Sequence, residues 1–261
     1  MRAFARATVG ANTAYRGAIV VWMTTSLLRV AVALFIWMSS GNSMLGGYPK
    51  SALVGYYLIA WVFDWLFMWN PFTPMSQEIQ SGRILTYLVR PVSYFWASAG
   101  REVGFKIMAF MLLVFFGALA GWAVVGSRIP IDVRAGWDWV FLALAIPGTI
   151  AISFLFTMCM VCLAFWFTEV RYVNYLYWTV MPLLGGMFLP TSFLPRSLEQ
   201  FNWILPFRYH LSFPLEIMFH RLDAGGLFVS FVFMGLWVVL LAWLYRHLWR
   251  EGLKAYGAFG Q

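Results

Sequence analysis

The sequence predicts an all-α, polytopic membrane protein in a single domain of residues 1–261. Its parts are six transmembrane helices, an N-terminal interfacial helix, a cytoplasmic helical stretch and a re-entrant outer hairpin. Three observations carry this reading. Hydrophobic residues make up 62% of the 261 and charged residues only 11%, against about 45–50% apolar and 25% charged in soluble domains. The apolar residues gather into runs long enough to cover ~30 Å of hydrocarbon at ~1.5 Å per residue. Aromatic residues reach 20%, including 15 Trp and 12 Tyr, side chains that collect at headgroup level as interfacial belts.

Residues 1–16 mix Arg2, Arg6 and Arg16 with Phe4, Val9 and Tyr15, a weakly amphipathic basic segment suited to an interface or to a disordered tail. It begins like a signal peptide, but the next apolar run is long, contains Arg29 and lacks a small-residue cleavage site, so it is expected to be retained. The first span runs from about Gly17 to Met38. After a loop with Gly41, Gly46, Gly47 and Pro49, the second runs from about Ser51 to Trp69, contains Asp64, and ends at Pro71 and Pro74, which cannot continue a helix. The third, about Phe95 to Val125, is longer than a bilayer needs, so its polar start (Arg101, Glu102, Lys106) is expected in the cytoplasm. The fourth, about Trp139 to Phe167, holds Pro147-Gly148 and with them an expected kink. A tight turn at Thr168–Arg171 leads to the fifth, about Tyr172 to Leu189, with Pro182 and Gly185-Gly186.

Residues 190–225 are broken by Pro190, Pro195, Pro206 and Pro214 into pieces too short to span. Two read as helical, Ser197–Ile204 and Leu211–Phe219, both apolar enough to dip into the membrane. Broken helices at membrane depth persist only where protein or a water-filled cavity covers the freed backbone groups, so this hairpin is expected at the outer mouth of something. The sixth span, about Leu227 to Tyr245, leads to a basic tail. Six crossings place both termini on one side. That side's segments carry 11 Lys and Arg against 6 on the other, which makes it the cytoplasm.

Between spans two and three lies Met75 to Pro91, MSQEIQSGRILTYLVRP, which looks built to dock something. Read as a short helix after Gly82, it puts Ile84, Leu85, Leu88 and Val89 on one face and Arg83, Thr86 and Arg90 on another, until Pro91 stops it. So short a helix does not hold itself together in water, and its apolar face must lie on a membrane surface or a partner protein. A basic interfacial loop that merely obeys the positive-inside rule is the other reading.

Several chemistries are absent. No phosphate-cradling GxxxxGK[ST] loop occurs, so the chain does not bind ATP by that route. Cys159 and Cys162 sit inside an apolar run without further Cys or His ligands, which argues against redox or metal chemistry and against disulfides. His210, His220 and His247 are scattered, and no catalytic motif appears, so no catalytic residue and no metal site is assigned. The net charge of +8 contains no basic run of five to eight residues, which points to anionic lipid rather than nucleic acid. Arg29 and Asp64 are the charges assigned well inside spans, ~18 Å and ~10 Å from the cytoplasmic side at ~1.5 Å per residue. Either they pair, or Arg29 faces a hydrated cavity or another chain.

The order of these parts resembles the permease subunits of ABC-2 type exporters, more narrowly the compact six-helix bacterial ABC-2 family membrane proteins. The resemblance rests on Glu78, Gly82-Arg83, Tyr87-Leu88 and Arg90-Pro91, then on Phe188-Leu189-Pro190, Leu205-Pro206-Phe207 and Pro214-Leu215-Glu216, and covers essentially the whole chain. Arg29 departs from the pattern. The resemblance implies an ABC-2 type fold in the bacterial cytoplasmic (inner) membrane, a second permease chain, identical or paralogous, and two copies of a separate ABC ATPase that bind ATP and Mg, with no cofactor in this chain. It makes Ser76–Arg90 the coupling helix, with Arg83 and Arg90 as ion-pair donors and Leu85 and Leu88 as apolar knobs, alongside Glu78, Gly82 and Tyr87. Separately, the hairpin from Pro190 to Phe219, with Pro190, Pro195, Pro206, Phe207, Pro214 and Glu216, is expected to gate the outer end of the pathway or to form a rigid plug that only seals the dimer halves. The expected function is export of a hydrophobic or amphipathic small molecule. The alternatives are a secondary carrier driven by an ion gradient, with Asp64 as coupling site, and a membrane assembly factor that transports nothing.

Overall fold

The computed structural model describes residues 16–41, 44–45, 48–67, 72–89, 93–104, 106–107, 110 and 136–258. All of the expected interfacial helix at 1–16 but Arg16, together with Arg90, Pro91 and the third span after 110, lies outside the described residues.

The described chain is helical apart from one two-residue ladder. Helix α1 (Arg16–Ser39) leads to β1 (Met44–Leu45) and β2 (Tyr48–Pro49), paired antiparallel, and then to α2 (Lys50–Phe67). Ser26 on α1 accepts hydrogen bonds from the indoles of Trp61 (2.7 Å) and Trp65 (3.0 Å) on α2. One serine thus satisfies two ring N–H groups within an apolar seam, where an unpaired donor would be costly. Next come α3 (Phe72–Gln80), α4 (Leu85–Leu88) and α5, residues 94–104. The remaining helices are α6 (Asp138–Cys162), α7 (Arg171–Leu184), α8 (Arg196–Asn202), α9 (Ser212–Met218) and α10 (Ala224–Ala258). Among the described residues, three stretches are long and apolar enough to cross a membrane: Ala52–Gln80, which takes in α2 and α3, Asp138–Phe165 and Ala224–Tyr256.

Helix α6 is apolar all round, as a helix surrounded by protein must be. It is buried along most of its length, packs most extensively against α10, and touches α9, α3 and α2 as well. Its outward neighbour α10 is mostly exposed along its apolar part, as a helix bordering lipid would be.

Four boundaries differ from expectation. Pro74 sits in the first turn of α3 rather than ending a helix, where its missing N–H is one of the donors no helix uses. The helix expected across Ser76–Arg90 is divided: Gly82 takes φ +77°, a left-handed conformation that terminates α3 and that glycine adopts without a Cβ clash. Helix α7 stops at Leu184, giving 14 residues, about 21 Å, shorter than the fifth span expected to reach Leu189. The sixth helix does not stop at Tyr245 but continues through the basic tail to Ala258. The helix assigned to α6 runs through Pro147 without a break.

Candidate functional site

The polar interruptions expected to carry function fall into three places. The first is the stretch between α2 and α5. Helix α3 buries Phe72, Met75, Ser76 and Ile79, the i, i+3, i+4, i+7 stripe of an amphipathic helix. Ile84 is fully buried and donates its N–H to the Glu78 carbonyl at 3.0 Å, so it belongs to the core rather than to the outer apolar face expected of it. Leu85 (50% exposed), Leu88 (45%) and Val89 (82%) remain on the surface, and Arg83 is exposed beside them, its Nε donating to Ser81 Oγ at 3.1 Å.

Glu78 faces inward. Arg101 on α5 donates to its carboxylate from Nη1 (2.6 Å) and Nη2 (3.2 Å), and the Tyr94 hydroxyl donates at 2.8 Å. Burial, then the charge of Glu78, hold that hydroxyl above its usual pKa range, so it stays a donor. The Arg101 guanidinium also lies 5.8 Å from the Tyr87 ring centroid and 5.6 Å from that of Tyr94, within cation–π range. Tyr94 stacks on Trp249 of α10 with ring centroids 5.1 Å apart. Gln80 Nε2 donates to the Phe167 and Thr168 carbonyls at 3.1 and 2.8 Å. The stretch is therefore held by α5, by the α6–α7 turn and by α10. Of the residues singled out from the sequence, Glu78 and Tyr87 anchor it and Leu85 and Leu88 face out. Arg101 was seen only as part of a polar helix start. Its bond to Glu78, 23 positions away, has no local signature.

The second place is the hairpin. Its elements match expectation closely: Pro195 precedes α8, Pro206 opens a 3₁₀ turn over Pro206–His210, and α9 follows. The freed carbonyls are capped by side chains. Ser212 Oγ donates to Gly185 O (2.7 Å), Tyr56 Oη to Gly186 O (2.8 Å), Tyr57 Oη to Phe188 O (2.9 Å) and Asn202 Nδ2 to Leu184 O (2.9 Å). Tyr209 Oη donates to Trp203 O (2.6 Å) and Trp237 Nε1 to Ile204 O (2.7 Å). Protein thus covers the irregular backbone, the condition under which it survives away from water.

At the hairpin's centre, Glu216 pairs with Arg208, whose side chain is 1% exposed. Thr191 Oγ1 donates to Glu216 at 2.9 Å, Arg208 Nη1 donates to Ser230 Oγ on α10 at 2.9 Å, and the guanidinium lies 3.9 Å from the Trp203 ring centroid. Glu216 was singled out from the sequence. Arg208 was missed, counted only as a loop cation. Pro190, Pro195 and Pro206 set breaks, whereas Pro214, expected to set another, lies within the first turn of α9, and Phe207 packs on Phe156 of α6.

The third place holds Arg29 and Asp64. They form no direct ion pair: Arg29 is exposed in an apolar groove with Leu28, Val32, Ile36 and Phe188, and Asp64 is half-buried. Lys106, assigned to the polar start of the third span, is largely covered by protein, pairs with Glu102 at 3.3 Å and donates to the Leu66 carbonyl at 2.5 Å. The i, i+4 spacing of Glu102 and Lys106 was the available signal. Among the described residues no group of three or more His, Cys, Asp or Glu is placed to hold a metal ion, and Cys159 and Cys162 are buried free thiols of α6.

Two comparisons with known proteins bear on this geometry. A family profile described as "ABC-2 family transporter protein" matches residues 20–260. No curated protein matches the chain.

Proposed function

The chain belongs to the ABC-2 family of transporter proteins, and from that membership we propose that it is the transmembrane permease subunit of an ATP-binding-cassette exporter. A multi-pass membrane transport component of this family associates with an ABC ATPase. In our reading two copies of that separate ATPase bind ATP and Mg and hydrolyse the nucleotide, while a second permease chain, identical or paralogous, completes the pathway. Six crossings with a re-entrant hairpin between the fifth and sixth place both termini in the cytoplasm of a bacterium. Few fixed charges and many aromatic residues support a hydrophobic or amphipathic cargo moved outward.

One observation carries the reading. Leu85, Leu88 and Val89 project from a segment whose base is fixed by the Glu78–Arg101 bond. An apolar face exposed on a polar segment needs a partner, and anchoring at Glu78 lets a push on that face reach α5. The test is replacement of Leu85 and Leu88 by Asp, since a carboxylate loses its hydration in an apolar cleft. The expected result is at least a tenfold drop in co-purified ATPase, with the chain still inserted and monodisperse. Undiminished complex would move docking to another surface, such as the exposed Glu169–Arg171 turn. A wild-type chain that assembles with no ATPase would overturn the exporter reading itself.

A further inference from the structure

A cleft of about 550 Å³ lies between the segment approaching α5 and the C-terminal half of α10. Its walls are aromatic, chiefly Tyr94, Phe95, Trp96, Tyr245 and Trp249, and Arg246 is the charged residue among its described lining. Arg246 is exposed and pairs with no acid among the described residues. The acids nearby in sequence and space are already matched, Glu78 by Arg101 at 2.6 Å and Glu251 by Lys254 at 2.7 Å. Among the described residues, the cleft thus presents a guanidinium without an acidic partner beside a pocket of rings.

Its position defines the occupant. Phe95 opens the third apolar run of the sequence and Tyr245 closes the sixth, so the cleft lies where hydrocarbon gives way to headgroups, and its aromatic walls are those that favour that depth. Arginine's planar fork matches a phosphate bidentately. We propose that the cleft binds one anionic phospholipid of the adjacent leaflet, with its phosphate on Arg246 and an acyl chain against Trp96 and Tyr245. Tyr87 and Leu88 also line it, so a bound lipid touches α4. The inference rests on the membrane reading alone and not on ATPase docking.

The test is native mass spectrometry of the full chain extracted from bilayers containing equal amounts of palmitoyl-oleoyl phosphatidylglycerol and phosphatidylcholine. Wild type is expected to retain one phosphatidylglycerol per chain in preference to phosphatidylcholine. Arg246→Gln should lower that preference about fivefold, the effect of one cation near a membrane surface. Arg246→Lys, which keeps the charge and the fold if the neutral variant does not, should fall between the two. Arg250→Gln, one turn on and outside the cleft, should leave it unchanged. No preference in wild type, an unchanged preference in Arg246→Gln, or an equal loss in Arg250→Gln would overturn the site. The assay contains no ATPase, so its failure leaves the exporter reading standing, and failure of docking leaves this result standing.

Discussion

Removing Arg208 alone should be among the most damaging single changes available in this chain. The guanidinium is 1% exposed and bonded to Glu216, Ser230 and the face of Trp203, while Glu216 accepts in addition from the Thr191 hydroxyl. Arg208→Met fills most of the same volume but leaves Glu216 as a buried charge with one neutral donor, a situation that costs about 3–5 kcal/mol. Glu216→Gln leaves the guanidinium stranded instead, with a loss of similar sign and about 2–3 kcal/mol. The double variant strands neither charge, and should be more stable than the sum of the two losses predicts by about 2–3 kcal/mol. Unfolding by SDS titration in mixed micelles measures all three. A local readout accompanies it: Leu194, 9% exposed in the hairpin, replaced by Cys should gain reactivity toward an impermeant thiol reagent in Arg208→Met and lose most of that gain in the double variant. Losses that add within about 0.5 kcal/mol would show that the two groups do not depend on each other, and the clamp as described would be refuted.

Two further outcomes follow from the same geometry. Glu78→Gln and Arg101→Met should each destabilise by about 1.5–3 kcal/mol, the range for a hydrogen bond to a charged partner, and should lower transport per ATP hydrolysed more than they lower ATPase binding. A pair whose loss leaves that ratio unchanged does not transmit force. His210→Leu should raise stability by about 1–3 kcal/mol in the same SDS titration, because both ring nitrogens are buried without a hydrogen-bond partner and leucine removes that desolvation penalty. A loss of stability would mean that the imidazole is satisfied in the membrane by water.

What could be read before folding was what is local. Apolar length identified α1, α2, α6 and α10, and the four prolines placed the hairpin helices within two residues: Ser197–Ile204 expected against Arg196–Asn202 found, and Leu211–Phe219 against Ser212–Met218. Proline acts on its own residue and its neighbour, so its signal survives without context. The contacts that hold the sites are not local. Arg208 and Glu216 lie on either side of an irregular turn, and Glu78 and Arg101 on two helices, so nothing in spacing joins them. The start of a new helix after Gly82 was legible, since a glycine after a helical run is a common stop. The side taken by Ile84 was not: it shares an apolar stripe with Leu85, Leu88 and Val89, yet the structure buries it in the core. The burial of Lys106 was only partly legible: the Glu102 carboxylate that sustains it lies at a readable i, i+4 spacing, whereas the Leu66 carbonyl is 40 positions away.

The length of α10 has a mechanical consequence. It is one rod of 35 residues, about 52 Å, with no proline along it. Near its start Ser230 holds Arg208 and Trp237 holds the Ile204 carbonyl, and near its end Trp249 stacks on Tyr94 while Tyr256 lies against Phe165. A beam without a hinge does not absorb a displacement partway. A tilt imposed at the Tyr94 end must therefore appear at the hairpin within the same motion, scaled by where the fulcrum lies along α6. Inserting a flexible joint, for example Gly-Pro in the exposed middle of α10, would break that lever and leave both ends intact.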